Sequence, residues 1–184
     1  LEALGRLCPA LRDAEARERI LDRLEAKLSA KESELVVSAI AGLRHVGGER
    51  ARARLCGILA SSSGSLFAHQ AAAEALGRLG DVEAEGTLAR ALDSWHKSVR
   101  WAARKALDRL FPGQRTRVEL LALGSRHEDI AESAANFLAS EGEPGELLTR
   151  LSSVRDANLR ARLRLGLARR PELPVATLLR LLTE

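Results

Sequence analysis

The sequence predicts an all-α fold, an α-solenoid of about five stacked antiparallel helix hairpins, truncated at both ends. Three observations carry this reading. Residues 65–111 land on themselves when shifted by 31, so that Ala72, Ala75, Leu76 and Leu79 fall on Ala103, Ala106, Leu107 and Leu110. Equivalent core positions in successive second helices, Leu43, Leu76, Leu107, Leu138 and Leu167, are separated by 33, 31, 31 and 29 residues. No segment alternates apolar and polar residues as a half-buried strand would. A period in this range marks a repeat array, in which each hairpin buries its apolar face only against its neighbours.

The elements follow in order. Residues 1–8 read as the tail of a second helix whose beginning is missing, closed at Cys8-Pro9 because proline cannot continue a helix. Residues 13–28 form an amphipathic helix with Ile20, Leu21, Leu24 and Leu28 on one side, and residues 33–46 are its partner, ended by Gly47-Gly48. Residues 49–59 and 67–79 form the next hairpin across a serine-rich turn at 61–64, followed by 82–92 and 97–111 and a Phe111-Pro112-Gly113 stop. Residues 114–123 pair with 128–139, and Ser125 with Glu128 has the spacing of a capping box. Residues 146–151, with Pro144 in a first-turn position, pair with 157–169, and 173–182 is one more first helix with no partner after it. The single repeat domain therefore spans 1–184, with hairpins at about 13–47, 49–80, 81–112, 113–142 and 143–171, a partial helix 1–8 before them and a lone helix 172–184 after.

Composition agrees with a soluble helical array. The chain has 184 residues, 46% hydrophobic and 29% charged, which is a foldable balance and not that of a disordered segment. Aromatics are only 3%, namely Trp95, Trp101, Phe67, Phe111 and Phe137, so leucine and alanine supply the core. Small alanines at helix contacts let the axes approach closely. Net charge is +4 from 29 basic and 25 acidic residues, a small excess that points only weakly to nucleic acid. Cys8 and Cys56 lie far apart without a CxxC, and both read as small buried apolar residues in a reducing, cytoplasmic setting. No apolar run approaches the ~18 residues of a membrane span, and no signal peptide is visible. The chain opens at Leu1 and contains no methionine, so a segment of a larger protein is expected.

The run AAAEALGRLGD within 67–92, followed by a short helix, resembles HEAT repeats of the short type also found in phycobilin lyases. DSWHKSVRWAARKALDRL is similar to the same consensus, with Val99-Arg100 and Ala102-Ala103 in the usual places. The resemblance covers about 65–110 and is thinner elsewhere. It implies a right-handed, armadillo-like solenoid whose second helices line the concave face. It also implies an Asp–Arg link between neighbouring repeats, for which Asp93 and Arg100 are the candidates. Ser62 and Gly124 stand 31 residues to either side of Asp93, so there is no continuous aspartate ladder.

On a helical wheel Ala103, Ala106 and Leu110 cluster around Val99, while Trp101, Arg104, Lys105 and Asp108 face the other way. The positions equivalent to Trp101 are Gln70 and Glu132, so this column is expected to meet solvent. An exposed tryptophan among Arg100, Arg104 and Lys105 has the composition of an interface hot spot. The plainer alternative is an indole folded onto its own helix and the arginine stems. Trp95, in the preceding turn, is expected to plug the space between hairpins. The last repeat is basic, with Arg160 and Arg164 as further partner-binding candidates suited to an acidic surface.

Other chemistry is poorly supplied. The block 127–146 holds six acidic residues and neither lysine nor arginine, which interrupts the continuous positive potential that a phosphate-tracking groove needs. His96 and His127 occupy the same turn of neighbouring repeats, roughly 8–10 Å apart, too far for both to bind one zinc at ~2 Å. No residue set converges as a catalytic constellation, and five dispersed aromatics make a poor base-stacking cleft. The expectation is a protein–protein interaction scaffold, not an enzyme. It needs no cofactor or metal, and it docks a protein partner or another domain of its parent chain on the second-helix face, with no membrane role. Nucleic-acid backbone binding and a HEAT-like DNA glycosylase activity are the alternatives.

Overall fold

The computed structural model describes residues 1–7, 14–142, 144–151, 154, 156–169, 174 and 176. Its described residues contain helices and no strand. In chain order the helices are α1 (Glu2–Leu7), α2 (Ala14–Lys27), α3 (Ser33–Val46), α4 (Gly48–Ala60), α5 (Leu66–Leu79) and α6 (Glu85–Ala91). These are followed by α7 (Lys97–Leu110), α8 (Arg115–Leu123), α9 (Glu128–Glu141), α10 (Pro144–Arg150) and α11 (Ala157–Ala168). A 3-10 turn, Val82–Ala84, leads into α6 and is started by Asp81, whose carboxylate accepts from the Glu83 N–H. Helices α5, α7 and α9 begin at residues 66, 97 and 128, which is the 31-residue offset of the sequence. Apart from residues 174 and 176, the expected helix 173–182 lies outside the described residues, as does the Cys8-Pro9 stop.

Contacts divide the chain into two compact units, Leu1–Pro112 and Gly113–Glu184, at the Pro-Gly stop after α7. In the first unit α1 packs on α3, α3 on α5 and α5 on α7, while α2, α4 and α6 each pack on the helix that follows. Its core is leucine and alanine: Leu24, Ile40, Leu43, Leu55, Leu76, Leu88 and Leu107 are fully buried. Gly77 shows how closely α5 and α7 approach, since a Cβ there would stand 2.5 Å from the Cα of Ala106. In the second unit α9 packs on both α8 and α11, and a Cβ on Gly166 of α11 would stand 2.4 Å from the Cβ of Ala139. Alanine and glycine at these contacts are what the sequence supplies in place of aromatics.

The start of α9 is capped differently from expectation. Ser125 does not form a capping box with Glu128; His127 is the N-cap of α9, in extended conformation, with no side-chain cap bond. The Ser125 hydroxyl instead accepts from the His127 N–H at 3.2 Å, as Ser94 accepts from His96 at 3.3 Å before α7. A Ser-x-His turn thus recurs 31 residues on, with the serine bonding two residues ahead in place of the helix N3 group.

Candidate functional site

Helix α7 carries five cationic residues, Lys97, Arg100, Arg104, Lys105 and Arg109, against one acid, Asp108. Val99, Ala102, Ala103, Ala106, Leu107 and Leu110 are buried and hold the helix in place. Trp101 is 39% exposed and Lys105 is exposed, as the wheel places them. The two arginines behave differently from the wheel. Arg104 is only 5% exposed, and its guanidinium lies 5.1 Å from the centroid of the Trp101 ring. A guanidinium over an indole face is held by the ring quadrupole, and the arginine stem covers apolar surface on the way. Trp101 therefore both reaches solvent and rests on Arg104.

Arg100 is 7% exposed and is not part of an open basic rim. Its Nη1 donates to the carbonyls of Ser94 at 2.8 Å and Trp95 at 3.1 Å, tying the turn before α7 to the helix. The expected role of Trp95 as a plug between hairpins is not what the structure has. Its carbonyl is bonded by Arg100 and its indole is 89% exposed. The backbone of this turn is what the fold holds, and the ring is left outward.

In the second unit Arg160 repeats the action of Arg100. It is the fourth residue of α11 as Arg100 is of α7, and its Nη1 donates to the Val154 carbonyl at 2.7 Å. Arg164 is half-buried, with its Nε buried and without a hydrogen-bond partner. Arg162 is neutralised by Glu132 at 2.7 Å and also donates to Asn136 at 3.0 Å. The basic last repeat is thus partly consumed by its own fold. Of the positions 31 residues either side of Trp101, Gln70 donates to Glu74 at 3.1 Å and Glu132 carries this Arg162 pair.

Three further arginines that bridge neighbouring elements lie on α4. Arg50 bonds Glu18, Asp22 at 2.6 Å and Glu25 at 2.9 Å, and Arg54 bonds Glu25 at 3.0 Å, all on α2. Arg52 reaches the opposite way, to Asp81 at 2.7 Å and Glu83 at 2.6 Å. Residues 50 and 54 share a helix face and 52 lies about 200° from 50, so the alternate arginines of the Glu-Arg-Ala-Arg-Ala-Arg run must diverge. That spacing was legible in the sequence and would have found the bridges. Burial pushes the Glu25 carboxyl up, but hydrogen bonds from Arg50 and Arg54 outweigh it and hold the group below its ordinary value. The same carboxylates, with Glu25 the strongest, raise Arg50.

No protein-family model matches this chain, and no curated protein matches it. Among the described residues no group of three or more His, Cys, Asp or Glu side chains is placed to hold a metal ion. His96 and His127 are the N-cap residues of α7 and α9. Cys56 is a half-buried free thiol, and Cys8 lies outside the described residues. No helix among the described residues is long and apolar enough to cross a membrane.

Proposed function

We propose that the chain is a protein-docking module of HEAT-like helical repeats and that Trp101 on α7 anchors its partner. What supports this is the comparison of Trp101 with Ala161. Both are the fifth residue of a helix whose fourth residue is an arginine bonded to the preceding turn. The α11 frame is built with alanine at this place, so the α7 frame does not require an indole there. A large aromatic kept partly in water, beyond what the architecture needs, is the residue type that dominates interface energies. Lys105 beside it and the cationic excess of α7 suit a partner with an acidic surface. Arg100 and Arg160 hold turns in this reading, and Arg104 sets the orientation of the ring. Arg164, with its unbonded Nε, belongs to the corresponding place on α11.

The test is a photo-crosslinking amino acid placed at position 101 or at 161 of the full chain, in extract of the cells that make it. Discrete protein adducts from 101 and none from 161 are expected. Equal labelling at both positions, or none at either, would remove Trp101 as the anchor. Steeply salt-dependent binding to duplex DNA would instead favour the phosphate-backbone alternative.

A further inference from the structure

The glycines inside helices fall into two kinds. Gly77 and Gly166 are demanded by packing, because a Cβ on either would run into an alanine of the neighbouring helix at 2.5 Å or less. Gly57, in the last turns of α4, is different, since a Cβ there would meet nothing within 4 Å, as is also true of Gly145 in the first turn of α10. The φ of Gly57 is not positive either, so the backbone does not call for glycine. Glycine within a helix costs about 1 kcal/mol relative to alanine. Neither the fold nor the chain path of α4 accounts for that penalty.

What Gly57 does is line a groove of about 440 Å³ in the first unit, bounded by the α2–α3 loop, α4 and the α4–α5 loop. Leu28, Val36 and Ile58 give it an apolar lining. Among the described residues its charged lining is Lys31 and Arg54, and the neighbouring Glu32 and Glu34 do not line it. Arg54 is held by Glu25 at 3.0 Å, whereas Lys31 is exposed and has no ion pair among the described residues. Helices α3 and α5 begin at its rim, and their positive ends add to the same sign of potential. Leu35 and Phe67, in the first turns of those two helices, are exposed. The volume lies within the roughly 300–1,000 Å³ of sites that enclose small ligands or short segments.

We propose that this groove docks an extended acidic–apolar segment of a protein partner. The segment's backbone lies against Gly57, where the missing side chain permits close approach. An apolar side chain enters among Leu28, Val36 and Ile58, and a carboxylate faces Lys31. The site is separate from Trp101 and stands whether or not the α7 anchor does.

The test uses the full chain and two fluorescein-labelled decapeptides, one alternating Asp and Leu, the other Lys and Leu, followed by fluorescence anisotropy. The Asp–Leu peptide is expected to bind at least tenfold more tightly than the Lys–Leu peptide. Gly57→Leu and Lys31→Glu should each weaken it at least tenfold. Gly57→Leu removes a helix-interior glycine into open space, so its Tm should hold or rise and lost binding cannot be lost folding. Absent or charge-indifferent binding, or full binding by Gly57→Leu, would overturn the proposal. Self-association abolished by Gly57→Leu would also overturn it, by assigning the groove to a second copy of the chain.

Discussion

In α7, Arg100, Ala103, Arg104 and Leu107 occupy the positions that Arg160, Leu163, Arg164 and Leu167 occupy in α11, 60 residues further on. Ala103, Leu107, Leu163 and Leu167 are all buried, and the first arginine of each helix donates to a carbonyl of the turn before it. The helices differ at the fifth position, where α7 has Trp101 stacked on Arg104 and α11 has the exposed Ala161, and at the ninth, where exposed Lys105 stands against exposed Leu165. The shared residues therefore report what a repeat needs in order to fold, and the difference reports what has been added to one repeat. An arginine that looks like a binding residue in sequence can be architecture. The same residue type on α4 has a third role, pairing with carboxylates of neighbouring elements.

The largest effect should come from the contacts that both units build alike. Gly77→Val and Gly166→Val each drive a side chain into a facing alanine, and each should lose roughly 3 kcal/mol in urea unfolding, as overpacking does. A neutral result at either site would show that its helices are free to move apart, and the parallel between α7 and α11 would fail there.

Removing the turn bond should give the next effect. Arg100→Ala and Arg160→Ala are each expected to lose about 1.5–3 kcal/mol, the usual range for hydrogen bonds made by a charged group. Similar losses would sharpen the comparison, whereas a loss confined to partner capture would break it by making these arginines binding residues.

Acid should distinguish arginines bonded to carboxylates from those bonded to carbonyls. The Glu25 carboxyl titrates below its ordinary value in the folded protein, so its contribution is present above the unfolded value and fades as pH falls through the folded one. The Tm gap between the parent and Glu25→Gln should accordingly be open at pH 7 and close toward pH 3. The gap for Arg160→Ala should persist over the same range, because a carbonyl does not titrate. A pH-independent Glu25→Gln gap would show that packing, not charge, is lost.

The smallest stability effects belong to the residues that differ. Trp101→Ala should change stability by no more than about 1 kcal/mol, and Ala161→Trp by about 0.5 kcal/mol or less, as at exposed sites. Thermal unfolding checks both, and a loss of several kcal/mol on removing Trp101 would make it a core residue.

Most of the helix boundaries were legible because each ends on a local signal. The 31-residue offset, Gly80 after α5 and the Pro-Gly stop after α7 are written in neighbouring residues, and apolar periodicity states which face of each helix is buried. The capping box was misread because serine at this spacing has two local bonding options, and the Ser-x-His turn won. The placements of Arg100, Arg104 and Trp95 were not legible, because a long or flexible side chain chooses between solvent, a ring and a carbonyl only after the turn is in place. The groove at Gly57 had no signature at all, since its walls come from segments brought together by α2, α4 and α5. Periodicity within one strip of chain determined the helices and their buried faces. Only tertiary packing decided which arginines became architecture and where space was left open, because both depend on residues distant in sequence.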